Sequence, residues 1–186
     1  CLRRRIAVRM RARGQQTFAG YSALLDHEPA EYDHLLDTLT INVTKFFRNL
    51  ETWQAVETLV LPPLFAGRGT VRAWSAGSAS GEEAYTLAMV LAEILGVEAF
   101  RQRVKIYATD VDAEQLAEAR QAAYGEREIQ AVPAELRRRY FEPIGDRWVF
   151  HKDLRRAVIF GRNDLVQDAP ISRIDLLTCR NTLMYF

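Results

Sequence analysis

The sequence predicts an α/β protein, a parallel sheet wound with helices and preceded by a small all-helical unit. Three observations predict it. Short apolar runs at Val71–Trp74, Val104–Ala108, Ala157–Phe160 and Ile174–Cys179 alternate with segments of helical period, at least through the first two strands, and that order calls for parallel strands. The first forty residues carry helical spacing alone. A turn of small residues, Ala76–Gly81, joins the first strand to its helix, at the end of the sheet where such folds hold ligands.

Leu2, Ile6 and Met10 recur every four residues and give one apolar stripe to a first helix that Gly14 ends. A second helix is expected from Thr17 to Leu25 and a third from Pro29 to about Leu39, with Leu35, Leu36 and Leu39 on its apolar side. Thr44 is a suitable N-cap for a helix through Leu59, which should stop before Pro62 and Pro63. Phe65–Thr70 reads as a turn. The first strand and its turn lead into a long helix, Glu82–Leu95, with Tyr85, Met89 and Ala92 on one side and Gly96 closing it. After the second strand, Asp112 with Gln115 three residues later is a capping-box pattern for a helix through Ala122, so Asp112 is structural. Glu135–Tyr140 is a basic helix. Trp148–Phe150, after the Ile144-Gly145-Asp146 turn, suggest a strand or hairpin inserted over about 141–154. The expected domains are therefore 1–39, helical, and 40–186, α/β.

The 186 residues are 48% apolar and 26% charged, which suits a soluble domain with its own core and excludes disordered, collagenous and disulfide-rich classes. No apolar run is long enough for a transmembrane helix, and no membrane insertion is expected. Cys1 and Cys179 lack any CxxC pattern, and His27, His34 and His151 lack ligand spacing, so no metal is expected and a cytoplasmic setting is the default. The net charge of +1 conceals an asymmetry. Arg3, Arg4, Arg5, Arg9, Arg11 and Arg13 open the chain without a single acid, leaving the remainder at −5. Such a block is either a solvated helix face or a docking surface for an acidic partner, and the acidic remainder argues against nucleic acid.

In Trp74-Ser75-Ala76-Gly77-Ser78-Ala79-Ser80-Gly81-Glu82-Glu83, Gly77 and Gly81 would let a ligand approach the backbone. A pyrophosphate favours bare amides at a helix start, whereas Glu82 and Glu83 would repel it. The GxGxxG and P-loop spacings are both absent. A ligand cationic near this turn fits better, and S-adenosylmethionine, with its ammonium and sulfonium, is one. Acids in a first helical turn also complement the helix dipole, so neither glutamate decides the matter alone. Asp110, at the end of the second strand, can accept hydrogen bonds from both ribose hydroxyls. Dehydrogenases and methyltransferases share this pairing of turn and carboxylate.

Three strings narrow the choice. Thr40-Ile41-Asn42-Val43-Thr44-Lys45-Phe46-Phe47-Arg48, the string from Trp74 to Met89, and Asp175-Leu176-Leu177-Thr178-Cys179-Arg180-Asn181-Thr182-Leu183-Met184-Tyr185-Phe186 resemble, in order, the CheR family of bacterial chemotaxis receptor methyltransferases. The resemblance implies a Rossmann-like class I methyltransferase sheet behind a helical N-terminal domain. It also implies S-adenosylmethionine as cofactor, S-adenosylhomocysteine as product, and glutamates on receptor signalling helices as substrate. By position, it puts cofactor contacts at Asn42, Thr44, Arg48, Gly77, Glu83, Asp110, the Asn163-Asp164-Leu165 loop, Arg180 and Asn181. Arg48 and Tyr185 fall nearest the transferring methyl. Arg4, Arg5, Arg9, Arg11 and Arg13 become a docking surface for acidic methylation helices.

The sequence departs from the family pattern at Asp164, where asparagine is common, and at Ala84, where proline is frequent. Its insert is short beside members that grip a receptor's tether peptide, which argues against tether binding. The last third is closer to versions inside multidomain signalling proteins, and the four strands imply a sheet lacking its C-terminal strands, with an open edge and weak cofactor binding. The alternative to an enzyme is a module that senses S-adenosylmethionine or docks partners without turnover. A nicotinamide-dependent dehydrogenase is disfavoured by Glu82 and Glu83.

Overall fold

A computed structural model of the chain describes residues 2–39, 44–66 and 69–183. The chain divides into two compact units, Cys1–Val43 and Thr44–Phe186, four residues later than the expected boundary.

In the first unit, α1 (Leu2–Ala12), α2 (Phe18–His27) and α3 (Pro29–Leu39) follow the predicted helices closely. Gly14 ends the first at a left-handed φ of 66°, and Thr17 caps the second by accepting the Gly20 N–H. Met10, Tyr21 and Leu35 are buried, with Ile6, Leu24 and Leu25 packed on them. The side chains of Leu2, Leu36 and Leu39 lie outside the described residues. Glu31 is buried at 1% exposure. It is tolerated there because Arg9 Nε and Nη2 donate to it at 2.7–3.0 Å and the Tyr21 hydroxyl at 2.8 Å.

The second unit opens differently from expectation. Thr44 caps no helix: residues 46–49 form a turn and α4 (Leu50–Ala55) begins after Asn49. Packing overrides the cap signal. Phe46 is drawn into the core, edge-on to Tyr124 at 4.8 Å and to Phe141 at 5.5 Å, and the Phe47 N–H donates to Thr86 Oγ1. The prolines do not stop the helix either. A π-helical turn, Val56–Val60, hands over to α5 (Leu61–Phe65), and Pro62 and Pro63 sit in the first turn of that last piece, where proline's missing N–H is tolerated.

The sheet contains β1 (Val71–Ala76), β2 (Val104–Asp110), β6 (Val158–Arg162) and β7 (Leu176–Thr178), in the order β6-β2-β1-β7 and all parallel, as predicted. The second strand runs two residues further than expected, so Asp110 is its last residue. Among the described residues β6 and β7 end the sheet, and Ile159 and Leu177 on them are exposed. Between β1 and β2 lie α6 (Glu82–Leu95) and α7 (Val97–Arg103), the latter unexpected and opened by Gly96 at φ 77°. α6 is buried continuously from Glu82 to Ala92 rather than on one side, the mark of a helix with core all around it.

α8 (Ala113–Gln121) follows β2, with Asp112 accepting the Glu114 and Gln115 N–H groups as its pattern predicted. Next come β3 (Ala123–Tyr124), α9 (Glu126–Ile129), α10 (Ala134–Tyr140), β4 (Phe141–Ile144), β5 (Arg147–Phe150) and α11 (Lys152–Arg155). The expected hairpin is thus a three-stranded antiparallel sheet, β3-β5-β4, whose two-residue first strand is too short to show alternation. Its Phe150 packs 4.5 Å from Tyr85, joining this small sheet to the main core.

Candidate functional site

The polar groups gather where the parallel strands end. In the turn after β1, Gly77, Ala79 and Gly81 take left-handed φ values. The Gly77 and Ser78 N–H groups both donate to the Thr109 carbonyl at 2.8 and 2.9 Å. Asp110 accepts the Ala79 N–H on Oδ2 at 2.8 Å and the Asp112 N–H on Oδ1 at 3.1 Å, while its carbonyl accepts the Asn163 N–H. One residue therefore ties the loops after β1, β2 and β6. A carboxylate offers about four acceptor positions, so these two bonds leave room for a pair of donors from outside.

The glycines serve packing. A Cβ on Gly77 would lie 2.2 Å from Thr182 Oγ1, and one on Gly81 would lie 3.0 Å from Ala119 Cβ and 3.2 Å from the Tyr124 hydroxyl. The space that the sequence reading gave to a ligand at these two positions is filled by the chain itself.

Glu83 is 8% exposed, and Ser75 and Thr178, from the ends of β1 and β7, donate to its Oε1 at 2.9 and 2.8 Å. Burial pushes its carboxyl up, against those two hydrogen bonds and the charges of Arg180 and Arg48. Arg180 Nη2 donates to the Arg48 carbonyl at 2.6 Å and to Asn49 Oδ1 at 3.0 Å, and its guanidinium lies over the Trp53 ring at 5.4 Å. Burial pulls the Arg180 guanidinium down from its ordinary value. Glu82 is engaged elsewhere: Ser80 donates to it at 2.7 Å, and burial, with Glu128 and Glu118 nearby, raises its carboxyl. The two neighbouring glutamates thus have separate surroundings, and Glu83 alone joins the arginines.

The charges of Arg48 and Arg180 both act on Glu83, Arg180 bonds the Arg48 backbone carbonyl, and Gly77, Asp110 and Asn181 lie at the ends of the parallel strands. Asn181 sits at φ 57°, beside the Thr182 that packs on Gly77. Asp164 accepts the Val166 and Gln167 N–H groups and shapes the loop after β6, with Leu165 half-buried beside it. Thr44 is half-buried ahead of the Phe46 turn. Asn42 and Tyr185 lie outside the described residues. Sequence reading missed Ser75, Thr178 and Trp53. The first two carried a signal, a hydroxyl at the end of an apolar strand; the third is one aromatic in a helix and carried none.

Of the arginines at the N-terminus, Arg9 and Arg13 pair within their own unit, Arg9 with Glu31 and Arg13 with Glu28 and Glu31. Arg11 is exposed and donates to Ala7 O, while the side chains of Arg3, Arg4 and Arg5 lie outside the described residues. Among the described residues no group of three or more His, Cys, Asp or Glu could hold a metal, and no helix is long and apolar enough to cross a membrane.

Residues 42–186 match the family model described as CheR methyltransferase, SAM binding domain, and residues 1–40 match CheR methyltransferase, all-alpha domain. The chain belongs to the CheR methyltransferase family. It is 35% identical over 171 residues to a chemotaxis protein methyltransferase of Listeria monocytogenes, covering 91% of this chain and 64% of that protein. It is 35% identical over 188 residues to chemotaxis protein methyltransferase 2 of Pseudomonas aeruginosa, covering 98% and 66%. An uncharacterized 104.1 kDa protein of Rhodobacter capsulatus is also 35% identical, over 188 residues that cover all of this chain and 20% of that one. The chain thus spans between a fifth and two thirds of the length of these relatives. CheR membership agrees with the SAM-binding α/β domain behind an all-α domain that the three sequence strings implied.

Proposed function

We propose that this protein transfers a methyl group from S-adenosylmethionine to glutamate side-chain carboxylates of a chemoreceptor or related signalling protein. The observation that carries the reading is the placing of two carboxylates, Glu83 held by Ser75 and Thr178 and Asp110 tying the turn after β1, at the ends of the parallel strands, in a chain of the CheR family. The residues fit the cofactor's chemistry. Glu83 is a buried carboxylate suited to an ammonium, and Asp110 keeps acceptor positions for a ribose diol. The Asn163-Asp164-Leu165 loop, Asn181 and Thr44 are our candidates for the remaining contacts.

When bound, the cofactor supplies an electrophilic methyl on a sulfonium. A substrate glutamate, with an unperturbed pKa of about 4.3, is ionised at neutral pH, so this chain need not supply a general base. Its task is placement, which can be worth up to roughly 7–11 kcal/mol in favourable cases. Arg48, with Tyr185, would orient the incoming carboxylate. Water exclusion favours a step in which opposite charges cancel.

The test incubates purified protein with radiolabelled S-adenosylmethionine and the signalling fragment of a chemoreceptor, then assays methanol released by base. Base-labile label on the receptor is expected. Tight cofactor binding without transfer to any receptor or cellular protein would overturn the reading.

A further inference from the structure

Arg48 stands between two residues in left-handed conformations, Phe47 at φ 48° and Asn49 at φ 56°. A phenylalanine rarely adopts that region, and such a backbone persists only where its surroundings over-determine it. Three holds are present. Phe46 is anchored among Tyr124 and Phe141, and the Phe47 N–H is bound to Thr86 Oγ1. The third hold comes from the far end of the sequence: Arg180 grips the Arg48 carbonyl and Asn49 Oδ1 with one nitrogen.

Arg180 is itself held by Trp53. The indole is 3% exposed, its face lies 5.4 Å from the guanidinium carbon, and its Nε1 has no hydrogen-bond partner among the described residues. What the indole contributes there is its ring surface. A guanidinium over an aromatic face is attracted to it and loses freedom to turn.

We infer that Trp53 and Asn49 are positioning residues for the transfer step: Trp53 supports Arg180, and Arg180, with Asn49 as its second acceptor, fixes the backbone that carries Arg48. The inference rests on the methyl-transfer reading and deepens it. It gives Arg180 a task apart from cofactor contact, that of setting where Arg48 begins.

The test compares Trp53→Leu, Trp53→Phe and Asn49→Gly with the unaltered protein. Asn49→Gly permits the left-handed conformation and removes the acceptor together with the rest of the side chain. In Trp53→Leu and Asn49→Gly, kcat should fall by about five- to tenfold, with the affinity for S-adenosylhomocysteine changed less than about twofold. Trp53→Phe, which keeps a ring face, should recover most of the loss. Hydrogen exchange of the Phe47 and Arg48 amides should quicken by a similar factor while the α6 amides keep their protection. Unchanged kcat, unchanged exchange at these amides, or parallel loss of cofactor affinity and α6 protection would each overturn the inference. If the unaltered protein transfers no methyl group, the catalytic half falls together with the functional reading, while the exchange data still decide whether the clamp exists.

Discussion

Gly77→Ala separates packing from ligand approach in the turn after β1. Gly77 has φ 72°, and its new Cβ would lie 2.2 Å from Thr182 Oγ1, 2.7 Å from Cγ2 and 3.0 Å from Cβ. The left-handed conformation costs an alanine about 1–2 kcal/mol. Displacing Thr182 from a packed site adds about 1–3 kcal/mol, so a loss of about 2–5 kcal/mol is expected. Urea unfolding followed by circular dichroism measures it. Thr182→Ala removes the two nearest atoms and leaves only the 3.0 Å contact. In that background Gly77→Ala should cost mainly the conformational share, about 1–2 kcal/mol, plus whatever the remaining Cβ contact adds. Calorimetry with S-adenosylhomocysteine on the same four proteins completes the cycle. If Gly77 acts through packing, the double variant should recover much of the affinity that Gly77→Ala loses. A Gly77→Ala cost that Thr182→Ala does not relieve would refute the reasoning.

Two further predictions concern charge. Because burial holds the Glu83 carboxyl above its ordinary value, the ionised form suited to an ammonium is completed only above that raised pKa. Cofactor affinity should therefore climb as pH rises through it and then level off, and Glu83→Gln should flatten the profile; an unchanged profile in the variant would assign the titration to another group. In the first unit the two kinds of arginine should part company. Glu31→Gln removes the charge facing the partly exposed Arg9 guanidinium and should cost about 1–3 kcal/mol by thermal unfolding, whereas Arg11→Glu should leave stability nearly unchanged and raise KM for the protein substrate alone. The Arg9 hydrogen bond holds the Glu31 carboxyl below its ordinary value. Its stabilising share is thus full above the unfolded-state pKa and is lost as pH falls through the lower folded one.

The parallel sheet, its order of elements and the helical first unit were legible because each rests on periodicity over many residues or on glycine punctuation. The segment after Thr44 was misread because a local cap signal met a stronger tertiary demand, the burial of Phe46 against side chains that lie 78 and 95 residues away. β3 was missed because two residues have no period. Asp110, Glu83 and Arg48 were legible as chemistry at strand ends. The hydroxyls of Ser75 and Thr178 were harder, since only the fold reveals that two separate strands aim them at one carboxylate. Gly77 and Gly81 carried a true signal with a different cause, because sequence shows that a side chain is absent without showing what occupies its space.

The arginine block shows how a charge count divides once a structure is available. A helical unit of about forty residues has little apolar core, and here Met10, Tyr21 and Leu35 are its buried apolar side chains among the described residues. An ion pair whose carboxylate is buried in such a place does structural service that a surface pair could not, provided that its geometry is complete. Arg9 completes it by reaching both oxygens of Glu31 with two nitrogens of one planar fork, and Tyr21 satisfies a further lone pair. A lysine has the charge but lacks the fork, so charge alone is insufficient at position 9. At position 11, where the side chain is exposed and bonds only to its own helix, any cation would present the same face to an acidic partner.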